Sequence, residues 1–145
     1  MAIEKFGTAH WSGDLQSGTG EVSTESGALD KVQYGFNKRF EGEPGSNPEE
    51  LVGAAHASCY SMALSMILGN HDVVADDIDT KATVSLEKDG DGFSVTKVHL
   101  DVTAKVPGLS EDKFMEAANA AKDGCPISKL YAGGTAEITM DAKLA

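Results

Sequence analysis

The segment from Leu51 to His71 contains no aspartate, glutamate, lysine or arginine, although the rest of the chain is rich in charge. This segment constrains the fold most, because a long apolar run must be covered either by lipid or by protein. Ser58, Ser61, Ser65 and two histidines interrupt it, which disfavours a membrane span. We therefore predict a helix that is buried on all sides inside a soluble protein.

The start of this helix is marked by three neighbouring residues. Asn47 suits the N-cap, Pro48 the first helical position, and Glu50 the third position of a capping box. The helix is expected to end near Gly69, where the sequence "GNHD" follows. The start is therefore defined more sharply than the end.

The remaining patterns predict strands and one more helix. Three strands are expected in the first forty residues, a hairpin with its turn at "DGDG", a helix over "SEDKFMEAANAAKDG", a connector "CPISKLYAGG" and a final strand "TAEITMDAKL". The first three strands are placed at "KFGTAHWSG", "TGEVSTES" and "QYGFNKRF". The order β-β-β-α-β-β-α-β, dominated by hairpins, predicts an α+β fold with largely antiparallel sheets.

Length and charge limit the classes of function. The chain has 145 residues, which suits a single domain over residues 1–145, and 41% of them are hydrophobic. Its net charge of −11 makes nucleic acids and anionic membranes poor partners, because like charges repel. The first residues lack an apolar run of signal-peptide length, so we expect a cytoplasmic protein with reduced cysteines.

The two cysteines allow two interpretations. Cys59 lies in the middle of the predicted long helix, and Cys125 lies between Gly124 and Pro126. Both could be inert core residues, since free cysteine is among the most buried residue types. A buried thiol should have a raised pKa, so a reactive Cys59 would need a nearby cation.

Arg39 is the only arginine in the chain and could supply that cation, or it could be an exposed charge at a strand end. His56 and Cys59 could share a metal, but no further ligand motif completes a site, so an ordinary hydrogen bond of His56 is favoured. The segment "EKDGDGFSVTKV" has only part of a calcium-loop pattern and is expected to be a turn. We expect no metal or organic cofactor.

Two longer segments and one short one resemble a known family. The segments "YGFNKRFEGEPGSNPEEL" and "NPEELVGAAHASCYSMALS", together with the later "GCPIS", resemble the OsmC/Ohr family of bacterial hydroperoxide reductases. The branch of the osmotically inducible protein C is the nearer one. The combination is specific, although no single segment would be.

The resemblance implies a thiol peroxidase that reduces organic hydroperoxides and acts as an intertwined homodimer, with sheets wrapped around central helices. It implies that Cys59 is the peroxidatic cysteine, Cys125 the resolving cysteine, Arg39 the activating cation and Glu49 its carboxylate partner. It also implies recycling by a dithiol of the lipoyl type. A redox sensor and a binding module of the same fold are the alternatives, and both would lack turnover.

Helix geometry adds an expectation about assembly. Glu49 and Cys59 are ten residues apart on one predicted helix, a rise of about 15 Å that no glutamate side chain can span. If both belong to one active site, Glu49 must come from a second chain unless the helix is broken. We therefore predict a two-fold homodimer with Glu49, and Arg39 beside it, acting across the interface.

Overall fold

The computed structural model describes all 145 residues, and they form two compact units, Met1–Leu51 and Val52–Ala145. Each unit contains its own three-stranded sheet, and helices accompany both sheets. The predicted α+β class is therefore confirmed. That the whole chain acts as a single domain stays a prediction.

The first unit is an antiparallel meander followed by a short helix. Strands β1 (Gly7–Ser12), β2 (Thr19–Thr24) and β3 (Val32–Tyr34) pair in sequence order. Helix α1 (Phe36–Phe40) follows at once, with the Arg39 N–H donating to the Gly35 carbonyl at 3.0 Å. The strand predicted over "QYGFNKRF" is therefore wrong beyond Tyr34, because a single helical turn has no periodicity to read.

Helix α2 (Pro48–Asn70) begins where the sequence predicts. The side chain of Asn47 accepts a hydrogen bond from the Glu50 N–H at 2.8 Å, so the N-cap is confirmed. The Glu50 carboxylate is exposed and makes no return bond to Asn47, so the capping box is wrong. Asn47 is therefore the side chain that caps this helix end.

The prediction that α2 is buried on all sides is also wrong for the single chain. Five residues at helical spacing are buried, namely Gly53, His56, Tyr60, Leu64 and Leu68. Another row is exposed, with Met62 at 75% and Met66 at 65%. By length and composition alone α2 could cross a bilayer, a test that core helices of soluble proteins also pass. Only 28% of that apolar stretch is buried.

The second unit is built on the predicted hairpin. Strands β4 (Asp77–Asp89) and β5 (Gly92–Lys105) pair antiparallel across a turn in which Gly90 has a φ of 61°. Strand β6 (Glu137–Leu144) then pairs with β5 in parallel. The sheets are largely antiparallel, as expected, and the parallel pair is possible because helices connect β5 to β6.

Two helices form that connection. Helix α3 (Glu111–Gly124) is capped by Ser110 and matches its prediction, whereas the predicted connector after it is in fact a helix, α4 (Pro126–Ala132). Cys125 joins the two helices, ending α3 and capping α4. The hydrophobic core of this unit includes residues from α2, β5 and α3, among them Tyr60, Leu64, Leu100, Phe114 and Cys125.

Candidate active site

The two cysteines lie together in the second unit, although they are far apart in sequence. Cys125 is fully buried between α3 and α4, and Cys59 is partly exposed on α2. The two thiols are close enough for each to shift the pKa of the other, and Cys59 packs against the core cluster that contains Cys125. These two neighbouring thiols are therefore the candidates for a disulfide within the chain.

The surroundings of Cys125 favour its thiolate. Burial acts to raise its pKa, but donors to the sulfur outweigh burial and the pKa is lowered. These donors are the Ser128 backbone N–H at 3.4 Å, the Cys59 thiol, the Ser128 hydroxyl and the Ile127 N–H. The second cysteine is thus held as a ready nucleophile.

The pKa of Cys59 is shifted in the opposite direction, upward. Burial raises its pKa, the Ile127 N–H partly offsets that effect, and the neighbouring Cys125 raises the pKa further. The sequence-based expectation of a raised pKa for this mid-helix thiol is confirmed. Within its own unit, Cys59 therefore has no cation that would favour its ionised form.

Three polar residues around the thiols complete this region. His56 is fully buried, and its Nε2 lies 2.7 Å from the Ser128 hydroxyl, so the ordinary hydrogen bond expected for it is present. The Tyr131 ring packs edge-on against His56 at 5.2 Å, and its hydroxyl donates to the Val52 carbonyl. Sequence reasoning missed Ser128 and Tyr131, because nothing in the predicted connector indicated a helix that faces α2.

Arg39 and Glu49 meet in the first unit. The guanidinium Nε donates to both carboxylate oxygens at 3.2 and 3.1 Å, and Nη2 donates to Oε1 at 2.6 Å. The Arg39 side chain is 37% exposed and also lies 5.3 Å from the centre of the Phe40 ring. Arg39 therefore lies on α1 rather than at a strand end and is ion-paired with Glu49, while its side chain stays exposed; its role as the activating cation remains a prediction.

An apolar cavity lies beside the Arg39 side chain. Its volume is about 320 Å³, and it is lined mainly by the aromatic and aliphatic side chains of Trp11, Leu15, Tyr34, Phe36, Phe40 and Pro48, with Arg39 among them. No sequence pattern indicated this cavity, because its lining comes from β1, β3, α1 and the start of α2. A cation at the wall of an apolar cavity suits a ligand with a polar group on an organic body.

One other group of side chains could hold a metal. The possible ligand atoms of His99, Asp101 and Asp141 lie within 4.8 Å of one another on β5 and β6. His99 Nδ1 bonds the Thr139 hydroxyl, and Nε2 lies 2.9 Å from the Asp141 carboxylate. These groups satisfy one another, and both aspartates are exposed, so the cluster by itself identifies no metal centre.

Comparison with known proteins identifies the class. The family model described as "OsmC-like protein" matches residues 40–140, which is most of the chain. The chain belongs to this family. It is 52% identical over 144 residues to the peroxiredoxin OsmC of Escherichia coli (strain K12), with 99% of each chain covered. It is 35% identical over 115 residues to the organic hydroperoxide resistance protein OhrB of Bacillus subtilis (strain 168), covering 79% of this chain and 82% of that protein.

Solved structures agree with this assignment. The crystal structure of Bacillus subtilis OhrB superimposes with a TM-score of 0.74 at 28% identity, covering 95% of this chain and 98% of that one. An OsmC-like protein from Mycoplasma pneumoniae gives a TM-score of 0.77 at 15% identity, with 100% and 99% covered. At that low identity the second comparison supports the fold only. The recognition made from the sequence motifs is confirmed.

Proposed function

We infer that this chain is a thiol-dependent peroxidase that reduces organic hydroperoxides to alcohols. The observation that carries this inference is the pair of neighbouring free thiols, one partly exposed and one buried, in a chain of the OsmC-like family. A peroxide that oxidises Cys59 places the resulting sulfenic acid beside a thiol that can condense with it. The redox chemistry needs no metal, because sulfur carries both electrons.

The reaction proceeds in three balanced steps. The Cys59 thiolate attacks the outer peroxide oxygen, the O–O bond breaks, and the alkoxide leaves as an alcohol after taking a proton. The Cys125 thiolate then attacks the Cys59 sulfur, forming the disulfide and releasing hydroxide, which leaves as water. A dithiol reductant restores both thiols by exchange and is itself oxidised to a disulfide. We propose a reductant of the lipoyl type.

The first step needs help, because the pKa of Cys59 is raised in its own unit. We assign this help to Arg39, whose charge would stabilise the thiolate, and to Glu49, whose bidentate contact fixes the guanidinium. The distances between Arg39 and Glu49 support a prepositioned pair. Roles for all four residues, Cys59, Cys125, Arg39 and Glu49, are part of the proposal.

We further propose that the active site is completed across a two-fold homodimer. Helix α2 is unbroken from Pro48 to Asn70, so Glu49 and Cys59 are separated by about 15 Å along its axis. An exposed row on α2 supports close contact with a second helix, since it consists of small and flexible residues, namely Ala55, Ser58, Met62, Ser65 and Met66. Arg39 and Glu49 of one chain would then serve Cys59 of the other.

The substrate class follows from the apolar cavity beside Arg39. An alkyl or aryl tail would replace water there, at about 25 cal/mol for each Å² of apolar surface that is buried. Hydrogen peroxide has no such tail, so we propose a preference for organic hydroperoxides.

We propose that the enzyme is soluble and cytoplasmic. Cysteines that must cycle through a reduced state suit a reducing compartment. The serines within α2 and its buried row on the core also suit a water-soluble protein better than a bilayer span.

The test compares cumene hydroperoxide with hydrogen peroxide in the presence of dihydrolipoamide. Consumption of the organic peroxide should be faster by about tenfold or more at equal concentrations, because only that substrate buries an apolar tail. Monothiols such as glutathione, used at equal thiol concentration, control for the type of reductant. A chain that forms the disulfide once but never turns over with any dithiol would favour a redox sensor.

A further inference from the structure

His56 takes no part in the reaction described above, yet it lies on the same helix as Cys59 and contacts Ser128, whose N–H donates to the Cys125 sulfur. Its side chain is fully buried, its Nε2 is 2.7 Å from the Ser128 hydroxyl, and its Nδ1 has no partner. A buried nitrogen without a partner costs free energy, so the site retains an imidazole although it lowers stability. An apolar residue of similar size would avoid this cost.

The direction of the hydrogen bonds determines the tautomer of His56. The Ser128 backbone N–H donates to the Cys125 sulfur at 3.4 Å, and a hydrogen bond from the Ser128 hydroxyl also acts to lower the pKa of Cys125. A thiolate only accepts hydrogen bonds, so whenever Cys125 is ionised the single hydroxyl proton of Ser128 points toward sulfur. The Ser128 oxygen must then accept from His56, which places the imidazole proton on Nε2 and leaves Nδ1 as a bare lone pair.

We propose that His56 is a positioning residue for the resolving step, acting through Ser128 to aim a hydroxyl proton at the Cys125 thiolate. His56 touches no reacting sulfur. Its donation to Ser128 prevents the hydroxyl from rotating away, so the Cys125 thiolate keeps this donor as it attacks the Cys59 sulfenic acid. This proposal rests on the proposed function, in which Cys125 resolves Cys59.

The step that His56 supports is balanced as follows. The S–S bond forms as the S–O bond of the Cys59 sulfenic acid breaks, so Cys125 is oxidised and Cys59 is reduced. Hydroxide leaves and takes from solvent the proton that Cys125 released when it ionised. His56 neither gains nor loses a proton, which agrees with burial lowering its pKa.

The other titratable groups near Cys125 do not account for the orientation of the Ser128 hydroxyl toward the sulfur. Tyr60 and Tyr131 both have raised pKa values, mainly because of burial, and are neutral at physiological pH. Lys122 and Asp123 line a cavity beside Ser128, but they lie 3.8 Å from each other as an ion pair. Cys59 is the remaining titratable neighbour, and it is one of the reactants.

The first test compares His56→Asn with His56→Gln. The glutamine amide N–H reaches the position of Nε2 and can still donate to Ser128, whereas the shorter asparagine mimics Nδ1 and cannot. After one equivalent of cumene hydroperoxide, His56→Asn should form the disulfide about tenfold more slowly at neutral pH, and His56→Gln should restore most of the rate. The rate of sulfenic acid formation, measured by trapping in a Cys125→Ser background, should change in neither variant.

The second test needs no peroxide and therefore separates this proposal from the proposed function. In a Cys59→Ser chain, which keeps a hydroxyl donor, the pKa of Cys125 is measured from thiolate absorbance. Adding His56→Asn or Ser128→Ala should raise that pKa by about 1, while Ser128→Thr and His56→Gln should change it little. A chain that formed no disulfide with peroxide, yet showed these changes, would contradict the proposed function and not the role of His56.

Three results would overturn the proposal. The first is an unchanged Cys125 pKa in His56→Asn. The second is a pH profile of disulfide formation in His56→Asn that matches the unsubstituted chain, and the third is an equal loss of disulfide rate in His56→Asn and His56→Gln. Each of these would make His56 a structural residue only. If His56→Asn does not fold, Ser128→Ala provides the same two measurements. An unchanged Cys125 pKa and disulfide rate in that variant would overturn the proposal equally.

Discussion

The thiol region and the ion-pair region are organised in opposite ways. Cys59 and Cys125 lie in a packed core, where burial raises the pKa of Cys59 and hydrogen-bond donors lower that of Cys125. Arg39 and Glu49 form a strong charged pair that is more accessible to water, beside an apolar cavity. The thiol region has the nucleophiles without a cation, and the ion-pair region has a cation and an apolar cavity without a nucleophile. Each region has what the other lacks, and this supports assigning both to one reaction.

The largest expected effect is in the thiol region. Cys59→Ser should reduce turnover of cumene hydroperoxide to background, because no other group in the chain can become the sulfenic acid. Cys125→Ser should allow one rapid oxidation in each chain and then stall or over-oxidise. Stopped-flow consumption of peroxide with mass analysis of the protein distinguishes the two. Normal dithiol-dependent turnover in Cys59→Ser would rule out the assigned nucleophile.

The next largest effect is expected at Arg39, and it shows whether the ion-pair region lowers the pKa of Cys59. Arg39→Ala should raise the pKa of Cys59 and slow its oxidation at neutral pH, by about tenfold if that pKa rises by 1. Arg39→Lys should recover only part of the rate, since an ammonium group cannot hold both Glu49 and a thiolate in a planar fork. Titration of Cys59 in both variants is the measurement. If its pKa is the same in all three proteins, Arg39 is not the activating cation.

Assembly across the dimer is tested by mixing inactive chains. Cys59→Ser and Glu49→Ala chains, unfolded together and refolded, should regain about a quarter of the wild-type activity, because half of the dimers are hybrids with one intact site. Each variant refolded alone is the control. Sedimentation should also show a dimer for the wild type. A monomer, or no recovery on mixing, would contradict the shared site and leave the peroxidase assignment standing.

A smaller effect separates stability from catalysis at the start of α2. Asn47→Ala should lower the free energy of unfolding by about 1 kcal/mol, because it removes the observed N-cap bond. Glu50→Gln should cost only about a few tenths of a kcal/mol, through the helix dipole, since its carboxylate caps nothing. Glu49→Gln should instead slow peroxide turnover with little change in stability. Urea unfolding and steady-state rates distinguish these three variants.

The last prediction concerns how the buried histidine makes stability depend on pH. The pKa of His56 is lowered in the folded chain by burial, so the unfolded chain binds more protons as pH falls below about 6.5. Stability should therefore decrease from that pH downward, by at most about 1.4 kcal/mol for each pH unit from this group. His56→Gln should show a shallower decrease between about pH 6.5 and pH 5. An identical pH dependence in both proteins would contradict the lowered pKa of His56.

The comparison also shows what sequence reasoning could reach. Helix α2 and the β4–β5 hairpin were predictable, because a capped apolar run and clear alternation are long local patterns. Helices α1 and α4 were missed because they have 5 and 7 residues, too few to show periodicity, and cysteine is not a usual N-cap residue. The bond between His56 and Ser128 joins residues 72 positions apart, so only the fold could reveal it.

The features of the candidate site also differ in how far the sequence could predict them. The four residues Cys59, Cys125, Arg39 and Glu49 were identified by resemblance to a family, since their types alone left inert cysteines and a surface charge as alternatives. Their order of ionisation could not be predicted, because it depends on N–H groups of α4 that point at sulfur. The apolar cavity likewise depends on how four separate elements pack.

The most direct measurement is peptide mapping after a single equivalent of cumene hydroperoxide, under non-reducing conditions. The account predicts one disulfide per chain, joining Cys59 to Cys125 within the same chain, and its complete loss after treatment with dihydrolipoamide. Trapping with dimedone before the disulfide forms should label Cys59 and leave Cys125 unlabelled. A label on Cys125, or a fully oxidised chain without the Cys59–Cys125 disulfide, would contradict the account.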